Sequence, residues 1–169
     1  QPTISSNQKW LVKMLDNMRS THAFFGSKVL LVEGETDRYF FRASIEEIES
    51  RTKLGLVQDI AVINIDGKDS SKEWRILFES FGLEVHYVAD LDYAFKLYSE
   101  QALKLNTQVK INNFLSSHPD LDTKIEAEYL NKVYILKKGA LEDYLAIPKG
   151  LSHVITFCED QIGTFIVGT

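Results

Sequence analysis

The chain has 169 residues, with 19 basic and 24 acidic side chains and a formal net charge of −5. That length suits one domain, two at most, and 44% hydrophobic residues with only 9 Gly and 3 Pro exclude a disordered chain. The acidic balance excludes a protein that grips nucleic acid by bulk positive charge, while leaving open one that holds phosphate through metal ions. No apolar run approaches the roughly 20 residues of a membrane helix. Cys158 is the single cysteine, which rules out an internal disulfide and suits a reducing, cytoplasmic setting. The chain opens on Gln1 rather than Met, so a piece of a longer protein is expected.

In chain order, Trp10, Leu11, Met14, Leu15 and Met18 form a helical stripe that either covers the sheet or ends a preceding domain. Residues 1–26 are accordingly set apart from a main domain at 27–169. Val29 to Val32 is a short, branched apolar run, as in a strand buried on both faces. Phe41, Ile45 and Ile48 mark a helix ending near Arg51. Ile60 to Ile65 and Val85 to Ala89 repeat the strand pattern. Between them, Trp74, Leu77, Phe78 and Phe81 stand at i, i+3, i+4 and i+7, one apolar helix face. Ser70 and Glu73 are spaced as a capping box before it, and Gly82 suits its end. Tyr93 to Leu130 looks helical, with a break around Ser116 to Asp120 at Pro119. Val133 to Leu136 is a fourth strand, and the tail from Gly150 carries no second chemical motif. Strands alternating with helices imply right-handed crossovers and an α/β fold with a mainly parallel four-stranded sheet flanked by helices.

Ligands of an open parallel sheet bind beyond the carboxyl ends of its strands, and the acids recur there. The first strand runs into Glu33-Gly34-Glu35-Thr36-Asp37 and the second ends at Asp66-Gly67-Lys68. The third runs into Asp90-Leu91-Asp92, and the fourth is followed by Lys137-Lys138-Gly139-Ala140-Leu141-Glu142-Asp143. Carboxylates gathered at one edge repel one another and need cations. Oxygen ligands without His or Cys suit Mg²⁺ or Mn²⁺ rather than zinc. Each acid alone also has an ordinary explanation. Glu33 to Asp37 suits a helix N-terminus, Asp90 and Asp92 a capped turn, Glu142 and Asp143 a solvated helix face, and Asp66-Gly67 a turn. Coincidence at one sheet edge, not any single motif, favours a site.

Other chemistry is weaker. Gly67-Lys68 is preceded by Val62 and followed by Asp69, so it is no phosphate-binding P-loop. His22, His86, His118 and His153 lack ligand spacing, and Cys158 has no basic neighbour in sequence to activate it.

Together the run Lys28 to Phe41, Gly67-Lys68 before a helix, Val88-Ala89-Asp90-Leu91-Asp92 and Gly139-Ala140-Leu141-Glu142 resemble the Toprim domain of the overcoming-lysogenization-defect (OLD) nucleases. The resemblance covers about Ser27 to Leu145. It implies a Toprim-like, Rossmann-like fold and a metal-dependent DNA endonuclease that hydrolyses phosphodiester bonds with two Mg²⁺ or Mn²⁺ ions. By resemblance the metal ligands are Glu33, Asp37, Asp90, Asp92 and Glu142, and the catalytic residues are Glu33, Asp90, Lys138 and Lys149. Lys149 is the nearest candidate for a lysine that the family places downstream of its Leu-Glu motif. Glu33 and Asp37, four apart, would share a side where a helical turn begins, and Asp90 and Asp92 would share a side of an extended segment. Lys68, Lys137, Lys138 and Lys149 are all open candidates to hold the substrate phosphate.

Such proteins carry an ABC-type ATPase before the Toprim domain. Ser20-Thr21-His22 is similar to the tail of one, so ATP would act only in a separate domain. DNA, an ATPase domain of the same or another chain, and further copies in an oligomer are the implied partners, with no membrane. Antiphage defence is the role that family analogy implies. Two alternatives stand beside this one. In the first, the same site serves RNA cleavage or another Toprim enzyme. Alternatively, the domain is non-catalytic and assembles with an ATPase, the N-terminal stripe then being a docking face.

Overall fold

Four apolar runs become four strands because each must bury its side chains while its backbone groups find partners in neighbouring strands. The computed structural model describes residues 26–98, 105 and 107–168. In it the strands are β1 (Lys28–Val32), β2 (Ile60–Asn64), β3 (Glu84–Ala89) and β4 (Val133–Ile135). Their spatial order is β2-β1-β3-β4 and every pairing is parallel. The helices are α1 (Glu35–Thr52), α2 (Leu56–Asp59), α3 (Ser71–Ser80), α4 (Gln108–Ser117), α5 (Leu121–Leu130), α6 (Leu141–Leu145) and α7 (Leu151–Val167). Two 3₁₀ turns, Lys68–Ser70 and Leu91–Tyr98, complete the described elements. The α/β class and the parallel four-stranded sheet are as expected. The stripe from Trp10 to Met18, Ser20-Thr21-His22, and all of the 1–26 segment except Gly26 lie outside the described residues.

One sheet face carries the main core. Val29 and Leu31 of β1, Ala61 and Ile63 of β2, Val85, Tyr87 and Ala89 of β3, and Val133 and Ile135 of β4 are buried there. They pack against Trp74 and Phe78 of α3 and Leu121 and Ile125 of α5. The opposite face is covered less completely. There α1 lies on the sheet and packs against α7, around Phe40, Leu145, Val154, Phe157 and Cys158. Burial along β3 consequently alternates, with His86 and Val88 half-buried. Equal burial of the third strand on both faces is therefore not observed. The tail that carried no motif is structural, α7 completing this second core, and Arg51 near the end of α1 donates to the Gly163 carbonyl at 3.0 Å.

Two local details also differ from expectation. Ser70 does precede α3, but its φ and ψ of −95° and 1° are not those of an extended cap residue. Its hydroxyl instead donates to the carbonyls of Ile65 and Gly67, at 3.0 and 3.2 Å, and no capping box forms. Phe81 lies just past the helix and is exposed, while Gly82 at φ +79° turns the chain as foreseen.

Phe78 is fully buried and stacks on Trp74 at 5.7 Å. Phe78→Ala is expected to lower unfolding stability by about 3–5 kcal/mol, measured by urea titration; a loss under about 1 kcal/mol would contradict this packing.

Candidate functional site

The chain leaves β1 toward β2 on one side and later returns to place β3 on the other side of β1. The carboxyl ends of β1 and β3 thus flank a switch point, where an open parallel sheet forms a crevice. Glu33 directly follows β1 and Asp90 directly follows β3. Glu33 Oε1 accepts from the Tyr87 hydroxyl at 2.9 Å and from the Asp90 backbone N–H at 3.3 Å.

Gly34 then starts α1, and Asp37 Oδ2 accepts its backbone N–H at 3.0 Å. The same one-way bond recurs at α6, where Asp143 Oδ2 accepts the Ala140 N–H at 2.7 Å. Its neighbour Glu142 is buried and accepts from the Gly150 N–H at 3.3 Å. Gly139 has φ +129°, and a Cβ there would lie 2.4 Å from Asp143 Oδ2. Its carbonyl accepts the Leu91 N–H at 2.9 Å, tying the loop after β4 to the turn that holds Asp90 and Asp92. That turn is 3₁₀ from Leu91 onward, so the two acids are not carried by an extended segment. The Tyr93 N–H closes the turn on the Asp90 carbonyl at 3.0 Å, and Leu91 is buried between the acids in sequence.

Burial, reinforced by the neighbouring acids, governs the protonation of this edge. The Asp90 carboxyl is pushed up to about 8 by burial and then by Asp37, Glu33 and Asp92, with Lys149 opposing. Asp37 is pushed up to about 6 by burial, partly relieved by the Gly34 N–H, with Glu142 adding to the rise. Burial also raises Glu33, against the Tyr87 hydroxyl, which favours its ionised form. Electrostatically, Asp92 acts on Glu33, Glu142 acts on Asp37, and Asp37, Glu33, Asp92 and Lys149 all act on Asp90.

Three other lysines are placed differently. Lys68 Nζ lies 2.5 Å from Asp92 Oδ2 and also acts on Glu33. Lys138 Nζ stands over the Tyr144 ring, 5.2 Å from its centroid, and Lys137 Nζ reaches Asp122 Oδ1 at 2.6 Å. Asp66 takes the turn conformation, exposed at φ +54°, its N–H donating to Asn64 Oδ1 at 2.8 Å.

Among the described residues no group of three or more His, Cys, Asp or Glu side chains stands in an arrangement that holds a metal ion. The donor chemistry nevertheless fits a divalent cation: the acids are hard oxygen ligands whose charges oppose one another. Among the described residues Asp92 Oδ1 is buried without a hydrogen-bond partner, an oxygen that a cation would satisfy. Tyr87 was not singled out by sequence. The available signal was a tyrosine inside a buried strand, whose hydroxyl needs a polar partner.

Fold and edge together define a parallel α/β domain with carboxylates at its switch point. Residues 24–92 match the family model for the overcoming lysogenization defect protein-like TOPRIM domain. The matched segment includes Glu33, Asp37, Asp90 and Asp92, whereas Glu142 and Lys149 lie beyond it. A similar solved structure is the C-terminal region of the Xanthomonas campestris pv. campestris OLD protein. It aligns over 87% of this chain and 79% of that one, at 14% identity and a TM-score of 0.45. No curated protein matches the chain.

Folded Asp90 and Asp37 hold protons up to about 8 and about 6, against the ordinary 3.8 of a free Asp carboxyl. The folded state thus binds more protons than the unfolded one in that window. Its resulting advantage is present at low pH and is lost as pH rises through about 6 and about 8. Metal-free protein is expected to melt at a lower temperature at about pH 8.5 than at about pH 5.5, with Asp90→Asn flattening the difference. Calorimetric melts of both proteins in EDTA check this; a melting temperature rising equally with pH in both would contradict it.

Proposed function

We propose that this domain is the nuclease part of an ATPase-coupled OLD-like protein, hydrolysing DNA phosphodiester bonds with divalent metal ions. The observation that carries the reading is the gathering of acids after β1 and β3 at the switch point, where burial and neighbouring acids make ionised Glu33, Asp37 and Asp90 costly without a cation. Glu33, Asp37, Asp90, Asp92 and Glu142 are the residues that would hold the metal. When bound, two divalent ions supply a water of lowered pKa and charge stabilisation for the attacking and leaving oxygens.

The chain's own groups divide the remaining work. Glu33 and Asp90, joined through the Asp90 N–H, fix the geometry between the ends of β1 and β3. Lys149, whose charge acts on Asp90, is suited to hold a non-bridging phosphate oxygen and offset charge as it develops. Lys68 balances Asp92 in the metal-free protein and is suited to move to substrate phosphate. Lys137 and Lys138 border a cleft of about 330 Å³ that reaches Glu142, a path along which a phosphate backbone would be steered. The net charge of −5 leaves most duplex affinity to other parts of a larger protein, the ATPase domain and further copies among them.

A second reading is a non-catalytic Toprim module that assembles with an ATPase. It is favoured by the absence, among the described residues, of a closed metal-holding group and by the Lys68–Asp92 ion pair.

Purified protein with plasmid DNA and Mn²⁺ or Mg²⁺ is expected to nick or cut, and EDTA to abolish this. Asp90→Ala and Glu33→Ala are each expected to reduce the rate by about a hundredfold or more, the scale of one lost transition-state contact. Unchanged cleavage by either variant would sink the assignment. Cleavage of RNA in preference to DNA would move the substrate class. No cleavage together with no Mn²⁺-induced rise in melting temperature would favour the assembly reading instead.

A further inference from the structure

We infer that Tyr87 is a positioning residue for Glu33, engaging Oε1 so that only Oε2 is free to meet a cation. This rests on the reading of Glu33 as a metal-facing acid. Tyr87 is fully buried on the core face of β3, paired in register with Leu31 of β1, and its ring meets Tyr93 edge-on at 5.4 Å. Phenylalanine would fill the same space, so packing alone does not call for the hydroxyl. A phenol buried this deeply costs free energy unless it finds an acceptor. Its acceptor is Glu33 Oε1, at 2.9 Å, across the junction between the core and the acid edge.

The Asp90 N–H reaches the same oxygen, at 3.3 Å. Two donors from β3 and the turn after it therefore converge on Oε1, while no hydrogen bond reaches Oε2 among the described residues. The carboxylate plane is held by a ring that the core itself prevents from turning. Burial and the adjacent Glu33 charge also push the Tyr87 phenol far upward, so it stays protonated and acts as a donor, not as a nucleophile. Outer partners of this kind orient a ligand and keep it ionised, and their loss typically costs about 10–100-fold in metal affinity.

The test is Mn²⁺ binding to the full chain by isothermal titration calorimetry, with metal-free melting temperatures alongside. Tyr87→Phe keeps the ring, so the fold is retained and Mn²⁺ is expected to bind about 10–100-fold more weakly. Glu33→Gln is expected to weaken binding as well, and adding Tyr87→Phe to it to cost little more, because the hydroxyl acts through Glu33. Wild-type affinity in Tyr87→Phe would overturn the inference. So would a loss of the same size in the Glu33→Gln background, which would make Tyr87 merely structural. Failure of the unaltered protein to bind Mn²⁺ would instead overturn the metal reading, and the inference with it.

Discussion

Val32 pairs in parallel with Val88, and that one register decides where the chemistry of this domain lies. Because the strands run the same way, their carboxyl ends meet at one edge. Glu33 and Asp90 leave adjacent strands within reach of one hydrogen bond. The next pairing, Ala89 with Ile135, brings the loop after β4 alongside, and the Gly139 carbonyl fastens it to Leu91. Glu142 arrives through this second link. A slip of one residue in β3 would turn Tyr87 away from Glu33 and carry the whole buried set of that strand to the other face.

The same arrangement opposes itself electrostatically. Asp90 is raised by burial and by Asp37, Glu33 and Asp92, and among the described residues Asp92 keeps one oxygen without a partner. Helix starts and turns soften the cost. The Gly34 N–H meets Asp37, the Gly150 N–H meets Glu142, and Lys68 balances Asp92. Several acids thus do an ordinary capping or turn job and face the edge at once, so capping and site explanations are compatible. Strain of this kind persists where the surrounding core over-determines it, and here the core reaches the edge through Tyr87.

The elements were largely legible, for a local reason. Branched apolar runs marked all four strands, and Phe41, Ile45 and Ile48 marked α1, because burial imposes its period on neighbouring residues. Misjudged details had both non-local and local causes. Half-burial of Val88 follows from how much of the second face α1 and α7 cover, which the period of β3 does not encode. Ser70 reads as a cap residue, but the 3₁₀ turn before it aims its hydroxyl backward.

The candidate site divides in the same way. Sequence by itself determined the acid types, their places after strands and the α/β alternation, since each follows from residues close along the chain. Strand order, the meeting of Glu33 with Asp90, the action of the Lys149 charge on Asp90 and the hydrogen bond from Tyr87 were decided only by tertiary structure. Those partners lie tens of residues apart in the chain. Only the closed register of a parallel sheet converts that separation into contact.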